Sequence, residues 1–134
     1  MTPGLAVDGD VRQAPSADAK AILAAVEFRV DVVHERGGVR LCPVGEIDIA
    51  SIGRLRESMD AAVAAGADRL VLDLRGTTFL DSTGLHFAVE ADAWASQNGA
   101  EFSIIPGPPA VQRTFDVASL TAELPFVEVP RAQQ

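Results

Sequence analysis

The spacing of apolar residues changes period several times along this chain, and the order of those changes predicts its architecture. Glu27 to Val33 alternates: Phe28, Val30 and Val32 face one way, Glu27, Arg29 and Asp31 the other. A period of two belongs to a strand with one wet face. Glu35-Arg36-Gly37-Gly38 reads as a hairpin turn, and Val39 to Val44 returns as a second strand. Pro43 has no amide to donate, so that strand must lie at an edge, bulge or end there. From Ile52 the period becomes helical. Ile52, Leu55, Met59, Ala62 and Val63 share one stripe, with Ser51 as a plausible N-cap and Gly66 as the closing residue. Leu70, Val71, Leu72 and Leu74 then form a nearly continuous apolar run, which suits an interior strand covered on both faces.

A polar turn, Arg75-Gly76-Thr77-Thr78, and an apolar pair, Phe79-Leu80, lead to Asp81-Ser82-Thr83-Gly84. Asp, Ser and Thr side chains accept the unpaired N–H groups of a first helical turn. A helix from about Ser82 to Asn98 is expected, with Leu85, Ala88, Val89 and Ala93 buried and Asn98-Gly99 as its stop. Glu101 to Ile105 reads as another strand. Pro109 opens a third helix with Val111, Phe115 and Val117 as its apolar positions. Phe126, Val127 and Val129 suggest a last short strand, ended by Pro130. The order β-β-α-β-α-β-α-β predicts an α/β fold with a mixed, mostly parallel sheet and helices packed on one face.

The chain has 134 residues, enough for one domain. Residues 1–25 contain Pro3, Gly4, Gly9 and Pro15 and read as a leader. Within it, Ser16 to Ala25 fits a short helix and an Ala-rich disordered stretch equally well. Residues 26–130 are expected to form the folded domain. The apolar fraction of 48% supplies a core that must be aliphatic, because aromatics are only 5%. A net charge of −8 repels phosphate backbones and argues against nucleic acid as a partner. Cys42 stands alone, so no internal disulfide can form. His34 and His86 have no ligand-spaced companions, so neither a metal nor a cofactor is expected. There is no signal-peptide pattern and no apolar run of spanning length, which predicts a soluble, cytoplasmic protein.

Ser82 is the residue with the most chemistry. As a nucleophile it lacks a Gly-x-Ser-x-Gly elbow, and although His86 lies one helical turn on, no acid is placed to orient it. No Gly-x-x-x-x-Gly-Lys loop is present. Local sequence alone favours a plain helix cap at Asp81-Ser82-Thr83-Gly84 and an Asx-type turn at Asp48. The position near the positive end of a helix dipole would also suit a phosphate on the Ser82 hydroxyl.

Three separated segments change that balance. Gly45-Glu46-Ile47-Asp48, the stretch Leu72-Asp73-Leu74 through Phe79-Leu80-Asp81-Ser82-Thr83-Gly84-Leu85, and Pro109 to Asp116 with Leu120 together resemble the STAS domain, and within it the bacterial anti-sigma factor antagonists. The likeness covers about residues 27–129. It implies phosphorylation at Ser82, with Thr83 the second choice, and a partner-binding surface of Asp48, Asp81, Ser82, Thr83 and Gly84. It implies a binding switch with no catalysis of its own. The partner would be an anti-sigma factor of the GHKL-type serine kinase class, with room for a serine phosphatase, and the free chain would be a monomer. His86 departs from the small residue, usually Gly, that many members carry there. Two other readings stay open: a STAS scaffold or transport accessory module without a phosphorylation cycle, and a small Ser-His hydrolase.

Overall fold

A computed structural model describes residues 28–128. The readings for residues 1–27, including Glu27 at the start of the first strand, and for Val129 and Pro130 lie outside the described residues. Eight elements follow in order: β1 (Arg29–Glu35), β2 (Gly38–Ile47), α1 (Ile52–Ala64), β3 (Arg69–Asp73), β4 (Thr77–Leu80), α2 (Ser82–Asn98), β5 (Glu101–Ile105) and α3 (Pro109–Val117). The sheet has five strands. Four run in the order β1-β2-β3-β5, and β4 pairs with β2. The β1–β2 hairpin is antiparallel and every other pairing is parallel, so the α/β mixed sheet is as the sequence predicts.

One face of the sheet presents Val39, Leu41, Leu70, Leu72 and Ile104, all buried, to Leu55 and Ala62 of α1 and to Phe87 and Ala88 of α2. Val111 and Phe115 bring α3 into the same core, where the Phe115 ring meets Phe126 edge-on at 5.0 Å. The opposite face is half-exposed through Arg40, Cys42, Val71 and Ser103. There the buried Asp73 carboxylate holds Arg40 at 3.0 Å and Arg75 at 2.7 Å, and Arg40 also reaches Glu35 at 3.1 Å. Burial alone would raise the Asp73 pKa, but hydrogen bonds from Arg75 and Arg40 outweigh it and hold the carboxyl below its ordinary value. Burial and the Asp73 charge push the Cys42 thiol up.

Four expectations need correction. The segment read as a turn and an apolar pair contains a strand of its own, β4. The last strand is reduced to a single bridge, Ile104 to Phe126, closed by Ile104 N to Pro125 O and Val127 N to Ile104 O, both at 2.9 Å. Val117 is 81% exposed and does not join the core. The buried face of α2 is Gly84, Phe87, Ala88, Ala91 and Ala95, whereas Val89 and Ala93 face solvent and Leu85 is half-buried. Phe87 is the bulky residue of this face; around it the helix seats on glycine and alanine, and Leu85 and Val89 fall to its shoulders.

Candidate functional site

Strand β2 changes partner partway along, and that change builds the site. Its first part pairs with β3 at Val39–Leu41, and its last part pairs with β4 at Gly45–Ile47, with a register shift at Gly45/Glu46. Pro43 falls in the gap between the two ladders, where no parallel neighbour needs its missing amide, and its carbonyl accepts the buried Thr77 hydroxyl at 2.9 Å. Gly45 has φ 111, a left-handed conformation that side chains disfavour, and it lets the strand swing across to β4. On the other side Asp73 Oδ1 accepts the Arg75 N–H at 3.1 Å and turns the chain out of β3 toward β4.

The result is two loops side by side at the carboxyl ends of paired parallel strands. Ile47 and Leu80 are register partners, and the next residue on each strand is an aspartate. The backbone N–H of Asp81 donates to the Ile47 carbonyl at 3.2 Å and ties the loops together. Asp81 is the N-cap of α2: its Oδ1 accepts from Thr83 N at 2.9 Å, as the sequence predicts. Asp48 closes the turn that leads into α1, an Asx turn as the sequence predicts. Its Oδ1 accepts from Ala50 N at 3.0 Å and Ser51 N at 3.2 Å, and its carbonyl accepts from Ile52 N at 2.9 Å. Ser51, expected as the cap, makes no side-chain cap bond. Its buried hydroxyl instead donates to Glu46 O at 2.6 Å and accepts from Asp48 N at 3.0 Å, closing the loop on itself.

Ser82 is thus displayed in solvent at the first position of α2, beside two Asp-anchored loops. Thr83 is half-buried. Gly84 is buried beneath them: a Cβ there would sit 2.6 Å from Leu80 Cγ and 3.1 Å from Ile47 Cγ2. Gly84 therefore serves the site by letting α2 seat on both strands and presents little surface of its own. His86 is exposed, and among the described residues no hydrogen bond joins it to Ser82 or to a carboxylate. A catalytic relay through His86 has no support in this geometry. Among the described residues no group of three His, Cys, Asp or Glu side chains could hold a metal ion, and no helix is long and apolar enough to cross a membrane.

Sequence reasoning missed Ile49 and Phe79. Ile49 is 81% exposed on the loop after Asp48, and Phe79 is 48% exposed on β4. Their signal is an isoleucine inside an Asx turn and a phenylalanine at the outward position of a strand.

A mixed-sheet α/β domain with an exposed serine at an Asp-capped helix start, next to a second Asp-capped loop, defines a class of small, loop-presenting domains. The chain belongs to the STAS domain family, whose model matches residues 20–130. It is 26% identical over 104 residues to an anti-sigma F factor antagonist of Paenibacillus polymyxa, covering 77% of this chain and 89% of that one. A crystal structure of an anti-sigma factor antagonist from Mycobacterium paratuberculosis superposes with a TM-score of 0.65 at 24% identity, covering 79% and 89% of the two chains. The phosphorylated form of the Bacillus cell fate determinant SpoIIAA superposes with a TM-score of 0.60 at 16% identity, covering 79% and 94%.

Proposed function

We propose that this chain is an anti-sigma factor antagonist: a cytoplasmic, monomeric binding switch that engages an anti-sigma factor of the GHKL-type serine kinase class and releases a sigma factor while Ser82 is unmodified. The observation that carries this reading is the exposure of Ser82 at the start of α2, flanked by Asp81 and the Asp48 loop. A kinase can reach that hydroxyl without unfolding anything. The relatives' names support an anti-sigma factor as the partner, and SpoIIAA, which shares the fold, is known in a phosphorylated form. Ser82 is favoured over Thr83 because it is the more exposed of the two.

Phosphorylation adds about −1.5 to −2 charge. A helix N-terminus tolerates an anion, so the fold survives. The Thr83 N–H is already taken by Asp81, so the phosphate meets a carboxylate where it would otherwise meet a free amide. A partner that fits the bare hydroxyl must bury this dianion beside the carboxylate without a counter-charge, and a penalty of roughly 3–4 kcal/mol lowers affinity by two to three decades. A serine phosphatase would reset the switch. The test is phosphopeptide mass spectrometry on protein isolated from its own cells. Phosphate on Ser82 is expected. Ser82 unmodified across growth and stress conditions would refute the cycle and favour a constitutive STAS interaction module.

A further inference from the structure

We propose that Ile49, assisted by Phe79, is the apolar anchor by which the anti-sigma factor grips this surface. This rests on the function proposed above and names the residues that give the unmodified state its affinity.

The local structure gives Ile49 no role of its own. It occupies the second position of an Asx turn, where Gly, Asn, Asp or Ser is the ordinary choice. Its β-branched side chain points into water with 81% of its surface exposed. The loop holding it is closed from both sides. The Asp48 carboxylate binds the N–H groups of Ala50 and Ser51, and the Ser51 hydroxyl bridges the Glu46 carbonyl and the Asp48 N–H. An apolar group presented on a fixed backbone loses little conformational freedom when it is buried by a partner, which is the property of an interface anchor.

Phe79 extends the same surface. It is the register partner of Glu46, one residue from the Ile47–Leu80 pair that joins the two loops. At the strand spacing and rise of a β-sheet, these backbone positions lie within about 10 Å of Ser82. In β4 the outward neighbour of Phe79 is Thr78, and the buried positions are Thr77 and Leu80, so the packing of the core does not require an aromatic there. Both residues lie within two positions of the Ile47–Leu80 pair that joins the two loops. The surround is acidic: Glu46, Asp48 and Asp81 on a chain of net charge −8. Ile49 and Phe79 continue the Ser82 surface on which the proposed anti-sigma factor docks, so the same partner covers them.

The test compares Ser82 phosphorylation in the protein's own cells, read by mass spectrometry, for wild type, Ile49→Ser and Val32→Ser. Val32 is an exposed apolar control at 42%, paired with Leu41 and so about 20 Å back along β2 from the site. Ile49→Ser should lower Ser82 phosphate at least about tenfold, Ile49→Val should restore it, and Val32→Ser should leave it unchanged. Unaltered melting of Ile49→Ser excludes a folding defect. Equal phosphorylation of Ile49→Ser and wild type overturns the anchor and leaves the function standing. Loss in Val32→Ser to the same extent also overturns it. Wild type without phosphate overturns the function and the anchor together.

Discussion

Replacing Gly84 by Ala tests how tightly α2 is seated on the loop that carries Ser82. The added Cβ would lie 2.6 Å from Leu80 Cγ, 2.8 Å from Leu80 Cδ1 and 3.1 Å from Ile47 Cγ2. Ordinary carbon contacts are about 3.5–4.0 Å, so the overlap with Leu80 is about 1 Å. Leu80 and Ile47 are 2% and 1% exposed and have nowhere to go. Overpacking of this kind costs about 1–3 kcal/mol. Against it stands the helix propensity of Ala over Gly, about 1 kcal/mol. An overlap of about 1 Å on two fully buried side chains belongs at the upper end, about 2–3 kcal/mol, so Gly84→Ala should lose about 1–2 kcal/mol net and lower Tm by about 4–10 °C. Gly53 on α1 supplies the opposite case. It too is helical, but a Cβ there meets nothing within 4 Å, so Gly53→Ala should stabilise by up to about 1 kcal/mol. Both are read by urea unfolding at fixed pH. A neutral or stabilised Gly84→Ala, indistinguishable from Gly53→Ala, refutes the close seating of α2.

Other predictions address the charges. Asp73 has its folded pKa depressed, so its stabilisation is present above the ordinary carboxyl value of 3.8 and is lost as pH falls through the folded value. Asp73→Asn should lose about 2 kcal/mol at pH 7 and flatten the acid limb of a stability–pH curve below about pH 4. An unchanged acid limb would show that this cluster does not set acid stability. Asp81→Ala removes the N-cap bond to Thr83 and should cost about 1 kcal/mol, with the increase in amide hydrogen exchange confined to the first turn of α2.

The parts of this architecture that depend on strong local signals are legible in the sequence. The β1–β2 hairpin follows from alternation and the Gly37-Gly38 turn, and α2 begins at Ser82 and ends at Asn98, between an Asp cap and a glycine. The missed parts have physical reasons. β4 is only four residues long and exists because β2 leaves β3 after Leu41 and takes a new partner from Gly45, a tertiary event invisible in the local pattern of Thr77 to Leu80. The expected face of α2, Leu85, Ala88, Val89 and Ala93, shares only Ala88 with the observed one, because close approach at Gly84 turns the helix onto Phe87, Ala88, Ala91 and Ala95. Ser51 is the N-cap position of α1, as its place before the helical stripe predicts, but its hydroxyl is engaged by the Glu46 carbonyl, a contact the local pattern does not show. Of the expected contact residues, the structure brings Asp48, Asp81, Ser82 and Thr83 onto one edge and buries Gly84 beneath them.

The central claim is that charge on Ser82 decides binding. Its most direct test is titration calorimetry of the anti-sigma factor kinase against Ser82→Ala, Ser82→Asp and the Ser82-phosphorylated chain. Ser82→Ala should bind like the unmodified protein, the phosphorylated form about 100- to 1000-fold more weakly, and Ser82→Asp in between. Equal affinity of the phosphorylated and unmodified chains would contradict the account.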